Sequence, residues 1–160
     1  MKVIDILNKS DKAAFSFELV PPLKGGDINK IYEAIEPLIA LAPPFINITF
    51  HRDEVVYREY PDGTIKKVTV TKRPGSVALA AAIMRRYNVD MVPHIVCGGA
   101  TRHKIENELI DLNFLDIENV MALRGDPIPG ERFFTPEEGG HQYSCELVEQ
   151  ITRMNHGQYL

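Results

Sequence analysis

The sequence predicts an α/β fold of four consecutive βα units, and three observations carry that prediction. Short strand-like apolar runs alternate with longer segments of helical spacing. Three of the helical segments open at a capping residue, Asp27, Thr101 or Ser144. Two of the apolar runs end beside a carboxylate, Glu18 and Asp126, as happens where barrel enzymes place their chemistry at the ends of parallel strands.

The first strand is predicted over Ala13 to Val20 and is closed by Pro21-Pro22. Asp27 then caps a helix with Ile28, Ile31, Ile35 and Leu38 on one stripe, which Pro37 should kink or shorten. Phe45 to Phe50 reads as the second strand. A long connection follows, His51 to Arg73, in which Val55–Tyr60 and Thr64–Val70 flank Pro61-Asp62-Gly63, the signature of a hairpin. Since all βα loops lie at one end of the sheet, the hairpin should lie at the active-site end, as packing or as a substrate contact. The alanine-rich stretch Pro74 to Tyr87 is the second helix. Asp90 to Cys97 is the third strand, weakened by Pro93. Thr101 caps the third helix, with Ile105, Leu109 and Leu112 at helical spacing. Asn119 to Leu123 is the fourth strand, and Ser144 caps a fourth helix with Leu147, Val148, Ile151 and Met154 on one face.

Four βα units imply a parallel sheet with right-handed crossovers. A whole (β/α)8 barrel needs about 250 residues, so 160 residues hold either a small doubly wound sheet or the first half of a barrel. The run Gln158-Tyr159-Leu160 after Gly157 resembles the start of another strand, and the half barrel, one partial domain over 1–160, is the favoured expectation.

Composition narrows the function classes. A net charge of −4 gives no electrostatic footprint for nucleic acid. No apolar run approaches the ~18 residues of a membrane span, and Met1-Lys2-Val3-Ile4-Asp5 lacks the core of a signal peptide. Cys97 and Cys145 have no metal-type spacing and read as reduced thiols, so a cytoplasmic protein is expected. That setting disfavours an adhesion role for Arg124-Gly125-Asp126.

Among candidate residues, Glu18 lies between Phe17 and Leu19-Val20, and an apolar setting predicts a carboxyl that keeps its proton, as a general acid requires. The alternative is a strand glutamate paired with a basic neighbour. In the second motif, Gly125 permits close backbone approach to a ligand, and Arg124 can pair a phosphate or stack on a ring, against the alternative of a turn with a local ion pair for Asp126. His94 reads as a hydrogen-bonded core or rim histidine without metal partners. Thr49 can donate to a ligand oxygen, and Tyr143 can cover a ring. Gly98-Gly99 and Gly139-Gly140 read as flexible loops, not phosphate fingerprints, and Arg85-Arg86 as a solvated face.

Taken in order, Phe17-Glu18-x-x-Pro21-Pro22, Asn47-Ile48-Thr49, Pro93-His94-x-x-Cys97 and Ala122-Leu123-Arg124-Gly125-Asp126 resemble the strand-end motifs of the methylenetetrahydrofolate reductases, the bacterial-type flavoenzymes. The similarity runs from about Ala14 to the chain end. It implies a (β/α)8 barrel with FAD at the strand C-termini. It implies reduction of 5,10-methylenetetrahydrofolate to 5-methyltetrahydrofolate, in one-carbon metabolism and methionine synthesis, with NADH or NADPH reloading the flavin. Glu18 matches the family's proton donor and Asp126 the acidic residue beside flavin and folate. Thr49, His94, Leu123, Arg124, Gly125 and Tyr143 match positions that line the flavin. Folate is the implied substrate, a homo-oligomer the expected assembly, and neither membrane nor nucleic acid a partner.

Three features depart from the family's pattern. The connection after the second strand is longer than expected, the Pro127–Gln142 loop is long, and the strands of a second barrel half are missing. The isolated chain is therefore expected to show little or no reductase activity. A half barrel that binds flavin or folate without turnover, completed by a second copy, is the alternative, and a free-standing doubly wound domain without cofactor is a third.

Overall fold

A computed structural model describes residues 1–128 and 131–160, and Pro129 and Gly130, inside the long Pro127–Gln142 loop, lie outside the described residues. The elements in chain order are α1 (Val3–Lys9), β1 (Phe17–Leu19), α2 (Ile28–Ile39), β2 (Phe45–Ile48), β3 (Glu54–Glu59), β4 (Ile65–Val70), α3 (Ser76–Tyr87), β5 (Asp90–Val96), α4 (Arg102–Phe114), β6 (Met121–Leu123) and α5 (Ser144–Asn155).

Four strands pair in parallel in the order β1-β2-β5-β6, each beside its predecessor in the main sheet. A doubly wound sheet reverses its order and carries helices on both faces. Here one face carries the hydrophobic core and all the packed helices. Ile46, Ile48, Met91, Ile95 and Cys97 join Ile35 of α2, Leu79, Ala80 and Ile83 of α3, Ile105 and Leu112 of α4 and Leu147 of α5 in a single core. The sequential order and one-sided helices are consistent with part of a (β/α)8 barrel.

The period of two along each strand sends the intervening residues to the other face. Register places Glu18 beside Asn47 and Val92, then His94 beside Met121 and Val96 beside Leu123. This second face is only partly covered, since Glu18 is exposed, Met121 is 39% exposed and Leu123 36%.

Pro93 sits where β5 changes partners. Asp90 to Pro93 pair with β2, and His94 to Val96 pair with β6. A residue without an N–H costs least at such a handover, so the proline interrupts neither ladder. The edge strands are shorter than predicted. β1 keeps only Phe17–Leu19, and β6 begins at Met121, two residues past Asn119, whose side chain reaches the chain start. Its Oδ1 accepts from the Val3 N–H at 2.8 Å and its Nδ2 donates to the Met1 carbonyl at 2.9 Å, which anchors α1. That seven-residue helix, half-burying Val3 and Ile6, has no counterpart among the predicted elements.

The caps follow from local chemistry. Asp27 accepts from the Asn29 N–H at 2.9 Å and Thr101 from the Lys104 N–H at 3.2 Å. Pro37 lies in the last turn of α2, which stops two residues later. α3 stops at Asn88, whose φ of 51° is the left-handed conformation of a helix C-terminus. At α5 the expected cap is corrected. Ser144 is the first helical residue and Tyr143 the cap. The Glu146 carboxylate reaches back to accept from the Gln142 N–H at 2.7 Å and the Tyr143 N–H at 3.1 Å. Val148 is also corrected, because it faces solvent at 49% exposure while Leu147 is buried and Ile151 and Met154 are half-buried.

These two backbone N–H bonds hold Glu146 below the usual glutamate range, the Tyr143 bond first. The unfolded chain therefore takes up this proton at higher pH than the folded one. Its contribution is complete above the unfolded value and fades as pH falls through the folded one. Glu146→Ala is expected to lower the thermal midpoint at neutral pH and to flatten its acid dependence, as calorimetry from pH 7 to 3 would register. An unchanged midpoint would mean the cap contributes nothing.

A hairpin forms in this connection with strands offset from the predicted runs Val55–Tyr60 and Thr64–Val70, β3 pairing antiparallel with β4 from Glu54↔Val70 to Glu59↔Ile65. Asp62 closes the turn by accepting from the Thr64 N–H at 3.0 Å. Its base is tied to the β1–α2 loop, with the Lys24 N–H donating to the Lys72 carbonyl at 2.7 Å and Arg73 donating to the Pro21 carbonyl. The hairpin thus stands at the end of the sheet where the strands finish.

Candidate active site

Two groups of residues meet the strand C-termini. The first rises from β1, β2 and β5. The Glu18 Oε2 atom lies 3.7 Å from Nε2 of His94. His94 is 5% exposed, and its Nε2 has no hydrogen-bond partner among the described residues. Burial pushes the imidazole below the usual histidine range, and the Glu18 charge offsets this in part. Burial thus favours the neutral ring over the imidazolium. The expected hydrogen-bonded core histidine is corrected to a buried one whose Nε2 faces a carboxyl without bonding it.

Glu18 itself departs from its expected setting. Phe17 and Leu19 turn to the helix face, so these sequence neighbours do not desolvate it, and its side chain is 57% exposed. Thr49, one residue past β2, donates its Oγ1–H to the Leu19 carbonyl at 3.3 Å and lies 3.2 Å from His51 Nε2. The residues beside Glu18 are thus pinned to β2 and to the hairpin base.

The second group is the turn after β6. Leu123, Arg124, Gly125, Asp126, Tyr143 and Ser144 line an open hollow of about 480 Å³. Gly125 has φ +83°, a conformation a side chain would strain, so the turn presents bare backbone to the hollow. Tyr143 is 54% exposed there. Arg124 lies over the Phe134 ring at 5.4 Å. Gly98 is no flexible loop. It is buried, and a Cβ on it would come within 3.3 Å of Phe134 and 3.4 Å of Arg52. Nor is Arg86 simply solvated, since its guanidinium stacks over Tyr32 at 4.3 Å.

β1 and β6 are three strand spacings apart, roughly 14 Å along the sheet. The fold therefore joins Glu18 to His94, gathers Leu123 to Asp126 with Tyr143, and sets both groups on one rim without direct contact between them. Sequence reasoning left Asn47 and Arg52 unassigned. Asn47 is 8% exposed, its Nδ2 donates to Ser16 Oγ at 3.4 Å, and its Oδ1 is unpartnered among the described residues. The signal was an asparagine between two isoleucines in a strand. Arg52 had none, because its buried Nη2 depends on how the hairpin base folds over Gly98.

Exposed apolar walls, an arginine, a bare glycine backbone and unsatisfied buried polar atoms suit a flat, anionic cofactor beside a proton-transfer group. They define an α/β protein with a candidate ligand site at the C-terminal ends of parallel strands. A sequence model of the methylenetetrahydrofolate reductase family matches residues 2–160, and the chain belongs to that family. It is 28% identical over 162 residues to methylenetetrahydrofolate reductase (NADH) 1 of Arabidopsis thaliana, covering 99% of this chain and 24% of that protein. The Zea mays protein of the same name is likewise 28% identical, with the same coverage. The 5,10-methylenetetrahydrofolate reductase of Salmonella typhimurium is 26% identical over 133 residues, 83% of this chain and 38% of that one. The chain thus spans about a quarter to two-fifths of these relatives. Among the described residues no helix is long and apolar enough to cross a membrane.

Proposed function

We propose that this chain carries the proton donor and part of the cofactor site of a flavin-dependent reductase. The enzyme converts 5,10-methylenetetrahydrofolate to 5-methyltetrahydrofolate with electrons from NADH or NADPH, and the four βα units are the opening half of its (β/α)8 barrel. One observation carries the reading. A chain matched by the family model from residue 2 to 160 sets Glu18 and the Leu123–Asp126 turn on the same strand-end rim.

Leu123 and Tyr143 supply apolar walls for the isoalloxazine of FAD, Gly125 close backbone approach, and Arg124 a partner for its phosphates. Thr49, just past β2, and His94 of β5 line the same cofactor. Bound FAD supplies the hydride chemistry. Glu18 gives its proton to a nitrogen of the substrate's five-membered ring. The ring C–N bond breaks, the carbon becomes a cationic iminium, and Glu18 is left as carboxylate. The Asp126 anion favours that cation electrostatically.

The test is spectroscopic and kinetic. The full protein should purify yellow, with flavin absorbance near stoichiometric, and should oxidise NADH or NADPH with methylenetetrahydrofolate as acceptor. Gly125→Val, which forces a branched residue into a left-handed backbone, should release most of the flavin. A colourless protein that takes up no added FAD would overturn the reading.

A further inference from the structure

The concave face holds two buried polar atoms that nothing among the described residues satisfies, Nε2 of His94 and Oδ1 of Asn47. They belong to adjacent strands, and Glu18 stands in register beside Asn47. Native structures leave few such atoms unpaired, so two on one face beside a carboxyl call for a cause. We propose that His94 is a positioning residue for Glu18, its Nε2 fixing the carboxyl at the end of β1 while Asn47 supports that carboxyl from β2. The inference rests on Glu18 being the proton donor and deepens that reading. It gives His94 a task beyond lining the cofactor.

The anchoring is one-sided. The Ser76 Oγ–H of α3 donates to the His94 carbonyl at 3.3 Å, and the ring is enclosed, whereas the Glu18 side chain is 57% exposed on the open face. An enclosed imidazole beside an exposed carboxyl restricts the carboxyl, not the reverse. Charge matters as much as place. An imidazolium 3.7 Å away would hold Glu18 as an ion pair, in the proton-free form that cannot act as an acid. A neutral ring offers Glu18 no such ion pair. Glu18 of β1 is the charged group facing this ring. β2 presents Asn47, β6 presents Met121, and Ser76 of α3 bonds the His94 carbonyl, none of them charged.

Nitrogen-15 NMR of the histidine rings, followed through a pH titration, tests the contact directly. His94 should titrate below the usual histidine range, and Glu18→Gln should move its midpoint further down, because the carboxylate is the charge that favours the imidazolium. A His94 midpoint indifferent to Glu18→Gln overturns the proposal. Stopped-flow kinetics of the full protein tests the role. His94→Gln should slow flavin reoxidation by methylenetetrahydrofolate about tenfold or more and alter the pH profile of that step. It should slow flavin reduction by the nicotinamide to a smaller extent than the folate half-reaction, so that the ratio of the two rates shifts. Equal loss in both half-reactions would make His94 a wall of the cofactor site and overturn the positioning role. If His94→Gln does not fold, the Glu18→Gln titration decides. If wild-type protein neither holds flavin nor reduces folate, the functional reading fails, while the titration still tells whether residues 18 and 94 are coupled.

Discussion

Glu18→Gln is expected to lower the rate of folate reduction by about 10²–10⁴-fold, the usual worth of a positioned general acid. Reduction of the flavin by NADH or NADPH should stay near the wild-type rate, because that half-reaction needs no proton from this carboxyl. Glutamine keeps the shape and loses the transferable proton. The substitution is structurally mild, since the side chain is 57% exposed on the open face and contributes no buried contact to the core. Rapid-mixing measurements of the two half-reactions separate the outcomes. A loss confined to the folate step supports the donor role, and equal losses would point to a binding or folding defect.

Ile95→Ala is expected to destabilise the fold by about 2–5 kcal/mol, the range for emptying a buried aliphatic site. Ile95 is 0% exposed in β5 and belongs to the core shared by α2, α3, α4 and α5. Leu123→Ala removes a side chain of the same size from the opposite face, where it is 36% exposed, and should cost less, about 1–2 kcal/mol. Denaturant titrations of the two variants compare the faces directly. A Leu123→Ala cost equal to that of Ile95→Ala would mean that the concave face, not the helix face, carries the folding energy.

Several elements were legible because their causes are local. Asp27 and Thr101 cap the helices they were expected to cap, since an Asx or threonine oxygen finds its N–H within three residues. The hairpin was readable from Pro61-Asp62-Gly63 between two alternating runs. Other readings failed because their causes lie far away in the chain. α1 depends on Asn119, more than a hundred residues later. Pro93 is harmless because its neighbour strand changes at that residue, which no local pattern reveals. The apolar setting read around Glu18 used neighbours in sequence, and a strand sends those neighbours to the opposite face.

The sequence by itself determined the order of the elements, the parallel βα logic and the family, because periodicity, caps and strand-end motifs are short-range properties that survive without coordinates. Tertiary structure alone decided which face is core, how exposed Glu18 is, and that its carboxyl lies 3.7 Å from a buried, unpartnered imidazole. The reason is physical: burial and pairing across β1, β2 and β5 are set by strand register, and register arises only when segments distant in the chain pack together.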